Sequence, residues 1–250
     1  MRLRRSVKQR LGPNEPGSEY DAQTIEVMRR VLTKASNGID IGAAWGEILR
    51  PMVKLAPLGH HRAFEPLPHF AARLREEFPQ VELHQVALSD HRGEAEFCFA
   101  VDAPAFSGLH RRQYPSDEVR VETLSVQVQR LDDLIDPDER IDFIKIDVEG
   151  AEFEVLRGAR ECLVRNRPVV VFEYSGEEIP EYGVENGAFY DYLNDLGMGI
   201  STLDRWLRGE PPLERSEFPQ RRTDDKAMWH WMYVAFDPHP RPESVPHPQS

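Results

Sequence analysis

The stretch that decides the fold is Ile141-Asp142-Phe143-Ile144-Lys145-Ile146-Asp147-Val148-Glu149-Gly150-Ala151-Glu152. Ile141, Phe143, Ile144 and Ile146 make a short, apolar, β-prone run between polar residues, which predicts a buried strand. From Glu152 the period changes. Phe153, Val155, Leu156, Ala159 and Leu163 recur at helical spacing over 151–166, and Gly150 punctuates the switch. The carboxylates of Asp147 and Glu149 therefore fall at the C-terminal lip of a strand, where open α/β sheets bind ligands. Lys145, Asp147 and Glu149 alternate, so a backbone extended as far as Glu149 would point all three to one side. Lys145 is one of five lysines against 26 arginines, and its place inside an apolar strand argues against a random surface charge. Two readings stand: a ligand-facing group, or a lysine–carboxylate pair that closes the sheet end.

Upstream, Asn37-Gly38-Ile39-Asp40-Ile41-Gly42-Ala43-Ala44-Trp45-Gly46 reads as a short strand running into a small-residue loop. Ile48, Leu49, Met52, Val53 and Leu55 then suggest a helix. Strand, glycine turn and helix let a backbone approach a nucleotide closely, although alone they equally describe an ordinary tight turn. Residues 60–64 predict a second strand ending Ala63-Phe64-Glu65-Pro66, with Glu65 lying 23 residues after Gly42. An acid there can accept hydrogen bonds from both ribose hydroxyls of an adenosine ligand. It can equally complement the dipole of the helix that follows at 67–78. A third strand, 81–88, stops at Ser89-Asp90, where a side chain can reach a base edge.

The remaining chain alternates in the same way. A helix is expected at 21–35, an antiparallel addition at 94–101, a strand at 119–129 and a short helix at 131–135. Downstream of the 151–166 helix come an apolar strand at 168–174 ending in Glu173, a helix at 186–196, a weaker strand at 199–203 and a last strand at 228–236. Residues 205–226 show no clear periodicity. Strands alternating with helices imply a doubly wound, mostly parallel sheet with helices on both faces. A final strand with no helix after it is expected to insert antiparallel. The domain is expected over 21–236, with a flexible leader at 1–20 and a disordered tail at 237–250.

A net charge of −12 argues against non-specific nucleic-acid binding. No apolar run has the length of a membrane helix, and the basic leader lacks the apolar core of a secretory signal. Cys98 and Cys162 stand far apart without metal spacing, which fits a reducing, cytoplasmic setting. No zinc spacing and no Ser-His-Asp order stand out.

On these motifs the chain resembles the FkbM family of S-adenosylmethionine-dependent methyltransferases, which have the class I, Rossmann-like fold. The resemblance rests on Ile39-Asp40-Ile41-Gly42-Ala43 with Gly46, on Ala63-Phe64-Glu65-Pro66, and on Val86-Ala87-Leu88-Ser89-Asp90. It continues through Leu131-Asp132-Asp133-Leu134 and is strongest from Ile141 to Ala159. Family members are mostly O-methyltransferases acting on sugar or natural-product hydroxyls, so a small-molecule hydroxyl acceptor is implied. The resemblance implies that Asp40, Gly42, Ala43 and Gly46 touch the amino-acid end of the cofactor, and Glu65 with Pro66 the ribose. Ala87, Ser89 and Asp90 would line the adenine side, and Asp147 the point of transfer. Glu149 is the first candidate for a base, with Asp147 and Lys145 beside it and Glu173 near.

An Mg²⁺ ion among these carboxylates is a less favoured expectation. His110, in the loop after Ser107-Gly108, is a weaker candidate base. The chain departs from the family's usual pattern at Ala44, where Asn is common, and at Trp45, where a smaller aliphatic residue is common. Two alternatives remain open at this point: a dinucleotide-dependent (NAD) oxidoreductase, and a binding protein on a degenerate methyltransferase fold.

Overall fold

Short apolar strands separated by amphipathic helices assemble into a seven-stranded sheet in the computed structural model, which describes residues 19–109, 118–174, 187–218 and 232–238. In chain order the elements are α1 (Glu19–Val31), β1 (Gly38–Ile41), α2 (Leu49–Leu55), β2 (Arg62–Phe64), α3 (Pro68–Glu77) and β3 (Glu82–His84). Then come β4 (Ala87–Leu88), β5 (Gly93–Ala100), β6 (Val121–Gln129), β7 (Phe143–Ile146), α4 (Glu152–Gly158) and α5 (Arg160–Asn166). The chain continues through β8 (Val169–Glu173), α6 (Ala188–Asp195), β9 (Gly199–Thr202), α7 (Leu203–Leu207) and β10 (Met232–Phe236). The main sheet runs β3-β2-β1-β7-β8-β10-β9. Its first five strands are parallel, and β10 is antiparallel to both neighbours. This bears out the doubly wound fold with an inserted antiparallel last strand.

Alternation along the strands sorts the two faces. Ile39, Ile41, Ile144, Ile146, Val170 and Phe172 pack with α4, α5 and α6. Ala63, Phe143, Val171 and Val234 face the other way, toward α1, α2 and α7. Asp40, Lys145 and Glu173 share this second face by the same alternation, and all three are buried. A smaller sheet, β4-β6-β5, packs Ala87, Phe97, Val126 and Val128 against Leu67 and Phe70 at the start of α3.

Several expected elements differ in extent. The strand expected over 81–88 is two strands in different sheets: β3 pairs with β2, whereas β4 pairs with β6. Its apolar run contains neither Gly nor Pro, so nothing local marks the break. The single helix expected over 151–166 is α4 followed by α5. Gly158 sits where a Cβ would collide with the Ser89 carbonyl. The Asp132 carboxylate then caps the restart, accepting from Glu161 N–H and Cys162 N–H, each at 2.9 Å. The expected helix at 131–135 is a single 3₁₀ turn, Leu131–Asp133. α1 begins at Glu19, inside the expected leader. α7 forms where no periodicity is legible. Most of the leader, all of the tail beyond 238 and His110 lie outside the described residues.

His61 holds the entry to β1. It accepts Gly38 N–H at Nδ1 (3.1 Å) and sets Nε2 against the Ala56 carbonyl at 2.8 Å. The ring must therefore be neutral with its proton on Nε2, and burial lowers its pKa from the ordinary 6.5. A group whose folded pKa is depressed contributes stability above its unfolded pKa that is lost as pH falls. The His61 contribution should therefore fall below about pH 6.5, which urea unfolding reads as the difference from a variant without the imidazole. A His61→Gln variant, about 1–3 kcal/mol less stable at pH 7, should lose less on further acidification.

Candidate active site

The parallel registers bring Asp40, one residue inside the end of β1, to the same edge as Glu65 and Asp147, which follow the ends of β2 and β7. Ile41 stands opposite Phe64 on one side and Ile146 on the other, so the chain leaves β1, β2 and β7 side by side. The strand order turns at β1, with β2 and β3 to one side and β7 and β8 to the other. The crevice between β1 and β7 is thus a topological switch point, the place where doubly wound sheets take ligands.

The loop after β1 is built by backbone contacts. Gly42 N–H and Ala43 N–H both donate to the Phe64 carbonyl, at 2.9 and 3.2 Å, and Gly46 N–H closes a turn on Ala43 O at 2.7 Å. Gly42 has φ +80, and a Cβ there would overlap the Asp147 carbonyl. Only a residue without a side chain allows the two loops to touch. Gly46, at φ +74, is similarly pressed on Leu74 and Phe78 of α3. Ala44 also takes a left-handed φ of +40, at a typical cost of about 1–2 kcal/mol for a residue with a Cβ. Asn tolerates that conformation better than Ala does.

The carboxylates border this loop. Glu65 is buried; its Oε2 accepts from Ala44 N–H at 2.9 Å and its Oε1 from Leu67 N–H at 2.8 Å. Desolvation nevertheless raises its pKa to about 7, opposed by those two bonds and assisted by the Asp40 charge. Asp40, opposite Lys145 in the ladder, accepts a backbone bond from Leu49 at the start of α2. Burial raises it to about 7 as well, against the pull of Lys145. Lys145 Nζ donates to Asp147 Oδ2 at 3.0 Å. Burial pulls this ammonium down. The charge of Asp147 and its hydrogen bond, with Asp40 and Glu173, outweigh burial and leave it above its ordinary value.

Asp147, Glu149 and Glu173 bring carboxylate oxygens within 4.8 Å of one another. Glu173 is pushed well above the ordinary carboxylate range by burial and then by the charges of Asp147, Glu149 and Glu152. Extended backbone does not persist to Glu149, whose φ is +60. The three groups meet through a left-handed turn, not by strand alternation. Glu152, which sequence reasoning did not single out, clamps that turn. Its buried carboxylate accepts from Val148 N–H at 2.9 Å and Gly150 N–H at 3.0 Å. The available signal was an acid in the first turn after a glycine. Gly108 closes the far side, with a Cβ there meeting the Glu149 carbonyl at 3.2 Å. The small sheet therefore abuts the acidic turn.

Asp40, Gly42, Ala43, Glu65, Lys145, Asp147 and Glu149 are thus gathered along one crevice. Ser89 and Asp90 lie along the side of α4. Ser89 Oγ donates to Glu154 at 2.7 Å, and Asp90 pairs with Arg157. Ala87 lies in β4 against Val128, and Pro66 leads into α3.

This fold and site define the class I methyltransferases: a switch-point crevice with a glycine cradle, an acid at the second strand tip and an antiparallel strand inserted last. The chain belongs to the FkbM family, for the methyltransferase FkbM domain model matches residues 40–198. It is an S-adenosylmethionine-dependent methyltransferase. It is 29% identical over 231 residues to the 2-O-methyltransferase NoeI of Sinorhizobium fredii, covering 85% of this chain and 94% of that protein. It is 32% identical over 176 residues to the methyltransferase sdnD of Sordaria araneosa, covering 55% and 67%. Among solved structures, a protein of Clostridium thermocellum, provisionally named an rRNA methylase, aligns with TM-score 0.50 at 10% identity, over 89% of this chain and 97% of that one. Neither the oxidoreductase nor the degenerate-fold alternative is favoured by these comparisons. Among the described residues no helix is long and apolar enough to cross a membrane.

The residues fit the cofactor. The Gly42 cradle leaves no space for a Cβ, and two buried carboxylates beside it titrate near 7. For Glu65 the folded pKa is raised, so its contribution to stability is complete below about pH 4.5 and lost as pH rises through about 7. Denaturant titrations of the ligand-free protein and of Glu65→Gln between about pH 4.5 and 8 should show the wild type losing more stability, or gaining less, than the variant as pH rises; parallel curves would refute the assignment.

Proposed function

We propose that the chain methylates a hydroxyl group of a small-molecule acceptor, a sugar or a natural product. The observation that carries this reading is the meeting of Asp147, Glu149 and Glu173 within 4.8 Å, beside a buried lysine and next to the glycine cradle. A hydroxyl must shed its proton as it is methylated, and a carboxylate at this point can accept it. The relative named a 2-O-methyltransferase supports the same acceptor chemistry.

In this reading Asp40, Gly42, Ala43 and Gly46 hold the amino-acid end of S-adenosylmethionine. Glu65 and Pro66 hold its ribose, and Ala87, Ser89 and Asp90 line the adenine side. The cofactor supplies an electrophilic methyl group. Glu149 accepts the acceptor's proton. Lys145 fixes Asp147 at the lip through its 3.0 Å hydrogen bond, so that the acceptor oxygen meets a carboxylate held in one orientation. Glu173 is held well above the ordinary carboxylate range by burial and its acidic neighbours, which makes Glu149 the carboxylate assigned as base. Cys98 and Cys162 form no disulfide, which fits a cytoplasmic setting.

Calorimetry with S-adenosylhomocysteine and with NADH, followed by a labelled-methyl screen of hydroxylated metabolites, tests the reading. Binding of the first alone and label on an acceptor oxygen are expected; transfer only to nitrogen or carbon would end it. Glu149→Gln should slow transfer by about 10²-fold or more while still binding S-adenosylhomocysteine. A variant working at full rate removes Glu149 as base.

A second reading places Mg²⁺ on the same three carboxylates, which are close enough to share an ion. Against it, Lys145 already puts a positive charge 3.0 Å from Asp147. Full activity is expected after EDTA treatment. Loss that Mg²⁺ restores would favour the ion.

A further inference from the structure

The glycine loop contains a left-handed alanine, and a Cβ disfavours that conformation. Something other than local preference must keep it there. Glu65 supplies one restraint by accepting Ala44 N–H at 2.9 Å. The adjacent residue, Trp45, supplies a second and much larger contact. Its half-buried ring meets Phe70 edge-on, with centroids 4.7 Å apart and planes at 76°. The Arg73 guanidinium lies over it, 4.7 Å from the ring centroid. Trp45 packs on the cluster that α3 forms with the small sheet, including Leu67, Phe70 and Phe97. Gly46, one residue on, lies against Leu74 and Phe78 of the same helix. Two successive loop residues are therefore fastened to α3, one through a ring and one through close backbone packing.

We propose that Trp45 is a positioning residue for S-adenosylmethionine: it pins the glycine loop to α3 and holds Gly42, Ala44 and Gly46 in the left-handed conformations that give the loop its ligand-receiving shape. The inference rests on the reading of this loop as the cofactor cradle. Pre-ordering of this kind raises affinity because the loop is not ordered at the moment of binding. The ring and cation contacts together are of a size to matter at the level of about tenfold in affinity.

The test uses the full chain and S-adenosylhomocysteine as calorimetric probe. Trp45→Ala should raise Kd about tenfold, with faster exchange of the amides at 43–46. Its KM for S-adenosylmethionine should rise by a larger factor than its kcat falls. Trp45→Phe, which keeps the edge contact, should restore most of the affinity. Adding Ala44→Asn to Trp45→Ala should recover part of it, because Asn tolerates the left-handed region. If Trp45→Ala does not fold, Trp45→Leu keeps apolar volume without the ring and carries the same expectation. Wild-type Kd and wild-type amide exchange in either variant overturn the proposal, whatever happens to Tm. A wild-type chain that does not bind S-adenosylhomocysteine at all overturns the cofactor reading and this inference together.

Discussion

One buried ammonium holds the site together. Lys145 stands in the central strand with Asp40 opposite it in the ladder, Asp147 bonded to it and Glu173 in range of its charge. Without that cation, several carboxylates at one sheet edge would repel one another in a poorly solvated space, and protonation would relieve the strain. With it, the charge is divided unequally. Asp147 is bonded directly to the ammonium, whereas Glu173, Asp40 and Glu65 are pushed upward by burial. Groups of one chemical type are thereby given different proton affinities by their surroundings.

The second constraint is steric. The loops after β1 and β7 come so close that Gly42 and the Asp147 carbonyl leave no space for a side-chain carbon. This contact makes one crevice of two strand tips. It also means that the cradle and the acidic turn cannot move independently. Glu152 holds the turn from beneath by its bonds to Val148 and Gly150, and Gly108, bridged to Cys98 at the edge of β5, closes on Glu149 from the side. The small sheet also carries the aromatic cluster on which Trp45 rests. It therefore reaches both ends of the crevice.

Much of this was legible in the chain. The switch from a period of two to helical spacing at Gly150 located β7 and α4, and the isolated lysine in an apolar strand announced a charge that had to be answered. The acids at Glu65 and Asp147 could be placed at strand tips because each follows a short apolar run, whereas Asp40 lies within β1, opposite Lys145. The motif-based family resemblance agrees with the domain match over residues 40–198. Less legible were features that depend on contact between distant segments. The break between α4 and α5 is set by the Ser89 carbonyl against Gly158, 69 residues away in the chain, and by the Asp132 cap on Glu161 and Cys162, 29 and 30 residues away. The division of 81–88 between two sheets is decided by β6, which lies far downstream.

Local pattern alone determined that strands alternate with helices, that the sheet is doubly wound, and which acids end its strands, because periodicity and turn residues act over a few positions. Only the tertiary structure decided how those acids meet. The left-handed turn at Glu149, the Glu152 clamp, the aromatic anchor of Trp45 and the division of charge around Lys145 arise from close packing and desolvation. Those are properties of the space between segments, which no stretch of sequence carries by itself.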